Sequence, residues 1–219
     1  YTKAASFGDT WLLRPQIDYS LDFKKHHVNT LLFYEAQKVY SDTMTGKKTG
    51  YFSDDPVDLS LGTILPENPI TGSHSYTAQA SWAGRFSYAY DQKYLAEFAF
   101  RYDGSYVFAP ENRWGFFPSA SIGWVVSQEK FFQEALPFVN YFKIRASYGQ
   151  SGNDNVTAYL YNSNFAIANN SMVLGDAPIS QFYTKNKYIY RDLTWATTHS
   201  FNLGFEFDLW HQKLGVELD

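Results

Sequence analysis

The sequence predicts an all-β protein, a portion of a transmembrane antiparallel β-barrel with about eight strands in this chain, and three observations carry that prediction. Bulky apolar side chains recur on every second residue, which is the period of a strand with two unlike faces. Several of these alternating runs are about 11–15 residues long, whereas strands of soluble sandwiches run to about five or six and a tilted membrane-spanning strand needs about 9–11. Short connections at 24–26, 91–93 and 210–213 alternate with long ones at 41–75, 103–115 and 150–196, so tight turns collect on one side of the sheet and long loops on the other.

The first alternating run, residues 11–23, has Trp11, Leu13, Pro15, Ile17, Tyr19, Leu21 and Phe23 on one side and Arg14, Gln16, Asp18, Ser20 and Asp22 on the other. After a turn at residues 24–26, Val28, Thr30, Leu32, Tyr34 and Ala36 alternate with His27, Asn29, Glu35 and Gln37. The longest pattern is the hairpin of residues 76–103. Its apolar side carries Trp82, Phe86, Tyr88 and Tyr90, then Tyr94, Phe98, Phe100 and Tyr102, around a polar turn at residues 91–93. Its other side carries Gln79, Ser81, Arg85, Ser87, Glu97, Arg101 and Asp103. Residues 116–126 and 141–149 repeat the pattern, as do 201–208 and 214–219. Residues 127–140 read as a brief helical segment in a turn position, with Phe131, Phe132, Ala135 and Leu136 ended by Pro137.

Composition agrees with this reading. Among 219 residues, 20% are aromatic, with 18 Tyr, 19 Phe and 6 Trp against 2 Met. Rings with a polar edge suit the boundary between apolar and aqueous surroundings, and Phe23, Tyr88, Tyr90, Tyr94 and Phe207 gather beside the tight turns where an interfacial girdle would lie. No apolar run approaches the roughly 18 residues of a spanning helix, so a membrane is crossed by strands or not at all. With no cysteine, disulfides, thiol chemistry and thiolate metal sites are excluded. A net charge of −4 without a Lys/Arg cluster speaks against a nucleic-acid partner. No basic region followed by an apolar one marks the N-terminal residues as a leader. The alternative architecture is a soluble antiparallel sheet with a Tyr-rich ligand face.

Energetics orient the faces. A Lys or Arg directed at lipid in mid-bilayer costs about 2–4 kcal/mol. Arg14, Glu35, Arg85, Glu97, Arg101, Lys143, Arg145 and Glu206 are therefore expected to line a wet lumen.

Residues 101–153 contain three ordered motifs. They are Arg101-Tyr102-Asp103-Gly104-Ser105, the strand from Gly115 through Phe117-Pro118-Ser119 to Gly123-Trp124, and the strand Lys143-Ile144-Arg145-Ala146-Ser147-Tyr148-Gly149. In this order they resemble the SusC/RagA family of TonB-linked outer-membrane transporters. The resemblance extends more weakly to residues 15–34, 85–94 and 193–214. Tyr106 and Val107 depart from the family's pattern after Asp-Gly-Ser, and Ala196 departs from it after Trp195.

The resemblance implies a barrel of about 22 strands filled by a plug, with a TonB-contacting segment, in the outer membrane of a Gram-negative bacterium. It implies a SusD-like surface lipoprotein as partner, energy from the TonB-ExbB-ExbD complex, and oligosaccharide or oligopeptide cargo, the former preferred. Residues 1–219 are expected to be part of the barrel domain, with plug and TonB box outside them. No cofactor and no enzymatic activity are expected. A porin-like or scaffold barrel, and an outer-membrane barrel enzyme, are the rival readings.

Cargo contacts are expected in the long loops: Tyr51, Phe52, Asp54 and Asp55 in the first, Tyr106, Asn112, Arg113 and Trp114 in the second, and Tyr159, Tyr161, Asn162 and Asn164 in the third. Each of these also has a plainer reading as loop packing or contact with the lipoprotein. His26 and His27 are adjacent on a strand and point to opposite faces, which disfavours shared metal ligation. Asp54-Asp55 and Asp154 with Asn153 and Asn155 lack the ordered spacing of a dedicated calcium loop. Residues 149–153 are glycine-rich without a following helix or Lys, so they are not a phosphate loop.

Overall fold

In a computed structural model, the described residues are 1–52, 58–65, 69–163, 165–174, 177–185, 188–210 and 213–219, with backbone alone described for 165–174 and 177–185. Of the expected loop contacts, Asp54, Asp55 and Asn164 lie outside these residues. The strands are β1 (Thr2–Leu13), β2 (Gln16–Phe23), β3 (His26–Lys47), β4 (Ile70–Tyr90), β5 (Tyr94–Ser105), β6 (Trp114–Val125), β7 (Val139–Asn153), β8 (Phe165–Leu174), β9 (Ala177–Lys185), β10 (Ala196–Leu209) and β11 (Leu214–Leu218). A single α-helix among the described residues, α1 (Lys130–Ala135), follows a 3-10 turn at Val126–Gln128.

Contacts divide the chain into two units. The first comprises Tyr1–Arg14 and Glu35–Ala80, the second Pro15–Tyr34 and Ser81–Asp219, and β3 and β4 contribute to both. In the first unit β1 pairs antiparallel with β3, from Thr2 opposite Lys47 to Leu13 opposite Ala36. In the second, the hydrogen-bonded order follows the sequence through β2, β3, β4, β5, β6 and β7, then passes to β10 and β11. The ladders β2–β3, β5–β6, β6–β7, β7–β10 and β10–β11 are antiparallel. Strands β8 and β9 form a separate two-stranded sheet.

The register joins like side chains to like. On one face Tyr94 stands opposite Trp124, which stands opposite Ile144, then Phe205 and Leu218. A second row runs Ala96, Ile122, Ala146 and Leu203, and a third Phe98, Ala120, Tyr148 and Phe201. The opposite face has rows Glu97, Ser121, Ser147 and Asn202, and Val125, Lys143, Glu206 and Glu217. Since side chains alternate along each strand, one residue of slip would mix these rows on every strand. On β2 and β3 the apolar pairs are Ile17 with Leu32, Leu21 with Val28 and Phe23 with His26. The polar face there also receives Leu31 and Phe33, opposite Asp18 and Gln16.

The apolar face is left open: Trp82 is 46% exposed, Phe86 46%, Phe98 45%, Ile122 66% and Phe201 71%. A soluble sheet would bury such a surface. The tightly buried apolar residues are few: Val107, Phe108, Ala109 and Phe117 near the long loops, Val125 and Val126 near the tight turns, and Ala83 on β4.

The architecture differs from the sequence expectation in four respects. The first expected run is interrupted at Arg14 and Pro15, because proline has no N–H to donate to the ladder. Pro15 still uses its carbonyl, which accepts from the Tyr34 N–H at 3.1 Å. Strand β1 begins at Thr2, and β3 and β4 reach 22 and 21 residues, so much of the expected loop at 41–75 is strand. The expected loop at 150–196 contains β8 and β9. In the first tight turn only Lys24 and Lys25 turn, and His26 opens β3.

Candidate functional site

Two places carry polar chemistry: the polar face of the sheet and the loop cluster beside its buried end. On the face, Lys143 Nζ lies 3.2 Å from Glu206 Oε1, and Arg145 lies 3.6 Å from the same carboxylate. Arg145 also pairs with Glu217 at 2.7 Å and with Asp219. Two strands away Ser87 Oγ donates to Glu97 Oε2 at 2.8 Å. Arg101 grips Asp103 through Nε and Nη2 at 3.1 and 3.0 Å, while Nη2 reaches Ser81 Oγ at 3.4 Å. Arg85 borders an open groove with Asp18, Asn29 and Glu97. A neighbouring groove of about 410 Å3 is lined by Asn29, Glu97, Ser121, Lys143, Ser147 and Asn202 among others. In the first unit Arg14 pairs with Glu35 at 3.4 Å. In the second unit Lys143 and Glu206 share one polar row, Glu97 lies on another, and Arg85 and Arg145 border the grooves. Ser121, Ser147 and Asn202, which alternation puts on the polar sides of their strands, form part of the lining of the groove beside Lys143.

The loop cluster is built by three segments. Ser105 is fully buried at the end of β5, its Oγ donating to Asp154 Oδ2 at 2.7 Å and accepting from the Val107 N–H at 3.3 Å. The Arg113 carbonyl accepts from Ser105 N at 3.2 Å and from Trp195 Nε1 at 2.9 Å. Trp195 then packs between Phe108 and Phe117, with ring centroids at 5.4 and 5.2 Å. Gly152 is needed beside Phe117, because a Cβ there would enter the ring.

The expected cargo contacts fall into distinct settings. Asn112 uses its amide to hold the Arg191 carbonyl at 2.9 Å, and its own carbonyl accepts from Thr194 Oγ1. Trp114 stacks on Tyr102 at 4.8 Å on the apolar face. The three tyrosines come together: Tyr106 meets Tyr159 edge-on at 5.8 Å, and Tyr159 lies 6.2 Å from Tyr161. The backbone there is fixed by a left-handed Tyr159, φ 63°, whose carbonyl accepts from Asn162 N at 2.9 Å. Asn162 is exposed beside them. Arg113 Nε is buried without a hydrogen-bond partner. The second and third loops therefore meet, and Tyr106, Tyr159, Tyr161 and Asn162 form an aromatic and amide surface.

In the first unit Tyr51 packs edge-on against Tyr1 at 6.2 Å, and loss of water pushes its phenol above the ordinary value, helped by the Asp58 charge. Asp58 is held below the usual carboxylate range mainly by the Ser60 N–H and hydroxyl, with Lys3 adding to it. Phe52 is fully exposed. Among the described residues no group of three or more His, Asp or Glu is placed to hold a metal ion. His26 and His27 diverge, His26 Nδ1 lying 2.8 Å from Tyr88 Oη and His27 Nδ1 2.6 Å from Asp22 Oδ1.

The aromatic belt beside the tight turns consists of two groups of touching rings. His26 lies 5.0 Å from Tyr90, Tyr90 6.4 Å from Tyr94, and Tyr94 6.4 Å from Trp124. Phe132, Phe142 and Phe207 form the second group, with spacings of 5.5 and 4.4 Å.

No family model matches the chain. Over 211 residues it is 30% identical to TonB-dependent receptor P26 of Formosa agariphila, covering 95% of this chain and 21% of the receptor. TonB-dependent receptor P3 of the same organism is 27% identical over 208 residues, covering 93% and 20%. TonB-dependent receptor SusC of Bacteroides thetaiotaomicron is 29% identical over 119 residues, covering 51% and 11%. The fold matches solved structures of the RagAB peptide importer in its closed-closed and open-open states with a TM-score of 0.78 and 23% identity, over 99% of this chain and 23% of that one. The chain spans about a fifth of the length of the first receptors it matches.

Proposed function

We propose that this chain, a SusC/RagA-like TonB-dependent receptor segment, forms part of the wall of an active nutrient importer in the outer membrane of a Gram-negative bacterium. The observation that carries the reading is the pairing of an open aromatic face with a charged, hydrogen-bonded face across the same strands. Only closed barrels let strands cross a bilayer with every backbone group satisfied. The open apolar face then meets lipid, and the rows bearing Glu97, Lys143, Arg145 and Glu206 meet water in the lumen. The plug and the TonB-contacting segment belong to other parts of the receptor, which draws energy from a TonB-ExbB-ExbD complex. A SusD-like surface lipoprotein covers the loop end.

The cargo is an oligosaccharide in preference to an oligopeptide. Tyr106, Tyr159 and Tyr161 present ring faces and edges with the Asn162 amide beside them, a combination that stacks on pyranose faces and bonds their hydroxyls. Transport of this kind uses binding and release without covalent catalysis.

The test is mass spectrometry of the ligand carried by the full-length receptor purified with its lipoprotein. A glycan supports the proposal; a peptide population keeps the importer and overturns the cargo. Uptake that continues after the TonB complex is disabled overturns active import in favour of a porin.

A further inference from the structure

We infer that α1 and the residues around it are an in-plane foot that seats this part of the wall in the lipid headgroup layer on the tight-turn side. The inference rests on the reading of the apolar face as lipid-facing.

Connections between strands usually close over the end of a sheet, but this one folds back along its apolar side. Glu129 Oε1 accepts from Tyr94 Oη at 2.7 Å, and Tyr94 belongs to the apolar row. Phe132 packs on Phe142, which stacks on Phe207, again on that side. Lys93 pairs with Glu129 at 3.2 Å and Gln133 Nε2 donates to the Ser127 carbonyl at 3.1 Å, so the polar flank of the segment is tied to the turns.

On the free side, Phe131 is 60% exposed and Phe138 49%, with Leu136 beside them. The Trp210 N–H donates to the Phe138 carbonyl at 3.1 Å and brings a half-exposed indole to the same place. At 3.6 residues per turn, Phe131, Phe132, Ala135 and Leu136 share one side of the helix, and Lys130, Gln133 and Glu134 share the other. That is the division of an interfacial helix, apolar side in the acyl boundary and polar side in water. Lys130, the first residue of α1, and Lys213, three residues beyond Trp210, are exposed and available to anionic headgroups. The occupant is a bilayer because the patch lies on the same side of the sheet as the aromatic belt, with Phe132 on Phe142 and Phe207 and Glu129 held by Tyr94 of the belt.

The experiment uses the full-length receptor in nanodiscs of phosphatidylethanolamine and phosphatidylglycerol, bearing one environment-sensitive fluorophore at Phe131→Cys, Glu134→Cys or Ile122→Cys. Acyl chains are brominated either near the headgroup or near the methyl end. The foot predicts that the label at 131 loses fluorescence mainly to the shallow bromines, that the label at 122 loses it to the deep ones, and that the label at 134 is spared. If 122 is quenched and 131 is not, the foot is wrong while the lipid-facing wall stands. If neither is quenched, the wall reading itself falls. A label at 131 that is shielded from water yet unquenched assigns the patch to a protein partner and overturns the inference. Because each label reads position and not stability, a folded variant at any one site suffices for its arm.

Discussion

Asp91 is fastened twice to Lys25: its N–H donates to the Lys25 carbonyl at 2.7 Å, and its carboxylate holds the Lys25 ammonium at 2.7 Å. The tight turn of one hairpin is thereby latched to the tight turn of its neighbour. The same lacing continues along this rim, with Lys93 on Glu129 and Trp210 on the Phe138 carbonyl. Tight turns at a barrel rim are the ends at which strands fray, and these contacts join successive turns through named atoms.

The latch has a pH signature. Its hydrogen bond to Lys25 holds the Asp91 carboxyl below the ordinary value, so its contribution is present above the unfolded carboxylate pKa of about 3.9 and is lost as pH falls through the lower folded value. Lys25 is raised, chiefly by the same bond, so its contribution holds below about 10.4 and is lost as pH rises through its folded value. Hydrogen exchange at the Asp91 and Lys93 amides of the full-length receptor should speed up on acidification after correction for intrinsic rates, and Asp91→Asn should abolish that dependence. An unchanged profile in the variant would detach the latch from these two groups.

The turn itself can be improved. Asp91 and Gln92 both have φ 53°, and the Lys93 N–H closes the turn on the Tyr90 carbonyl at 2.9 Å. This is the left-handed pair of a primed hairpin turn, which favours glycine. A left-handed non-glycine residue costs roughly 1–2 kcal/mol, and glycine returns about half of that in chain entropy. Gln92→Gly should therefore raise unfolding stability by about 0.5–1 kcal/mol in equilibrium denaturation.

Ser105 and Phe108 hold the loop cluster. Ser105→Ala strips a buried carboxylate contact to Asp154 and should cost about 1–3 kcal/mol. Phe108→Ala opens a cavity against Trp195 and should cost about 3–5 kcal/mol. Protease cleavage within residues 106–113 should become faster in both variants, with the second the more sensitive.

Cargo binding should depend on the tyrosine surface and be indifferent to its neighbours on the apolar face. Tyr159→Ala removes the ring between Tyr106 and Tyr161 and should weaken glycan binding at least about tenfold, which corresponds to 1.4 kcal/mol. Trp114→Ala, stacked on Tyr102 on the other side, should leave the affinity unaltered in the same calorimetric titration.

Much of the wall was legible because a strand states its faces at every second residue. The rows containing Glu97, Lys143 and Glu206 lie where alternation put them, and His26 and His27 diverge as neighbours on a strand must. Pro15 marked its own interruption, yet alternation carried the expected strand through it. Strand ends beyond Ala36 and before Tyr76 were illegible since Asp42, Thr43, Gly72 and Ser73 are polar or small on both faces, and it is the pairing of β3 with β1 and β4 that holds its extension as strand. In the loops, composition picked the aromatics but could not say that Tyr106 and Tyr159 meet, because 53 residues separate them and the contact depends on Trp195 and Asp154 anchoring both segments. The side of the sheet to which α1 folds was hidden for the same reason: Phe142 and Tyr94, which receive it, lie outside the helical segment.

If one face of these strands meets lipid and the other water, neighbouring residues along a strand must differ in what reaches them. Cysteines placed singly along residues 119–124 of the full-length receptor in a native outer membrane test it most directly, read by reaction with a membrane-impermeant maleimide and by quenching from brominated lipid. Residues 120, 122 and 124 should be quenched and unreactive while 119, 121 and 123 react and are spared, a strict period of two. Equal reactivity on both faces would contradict the membrane wall and return the sheet to water.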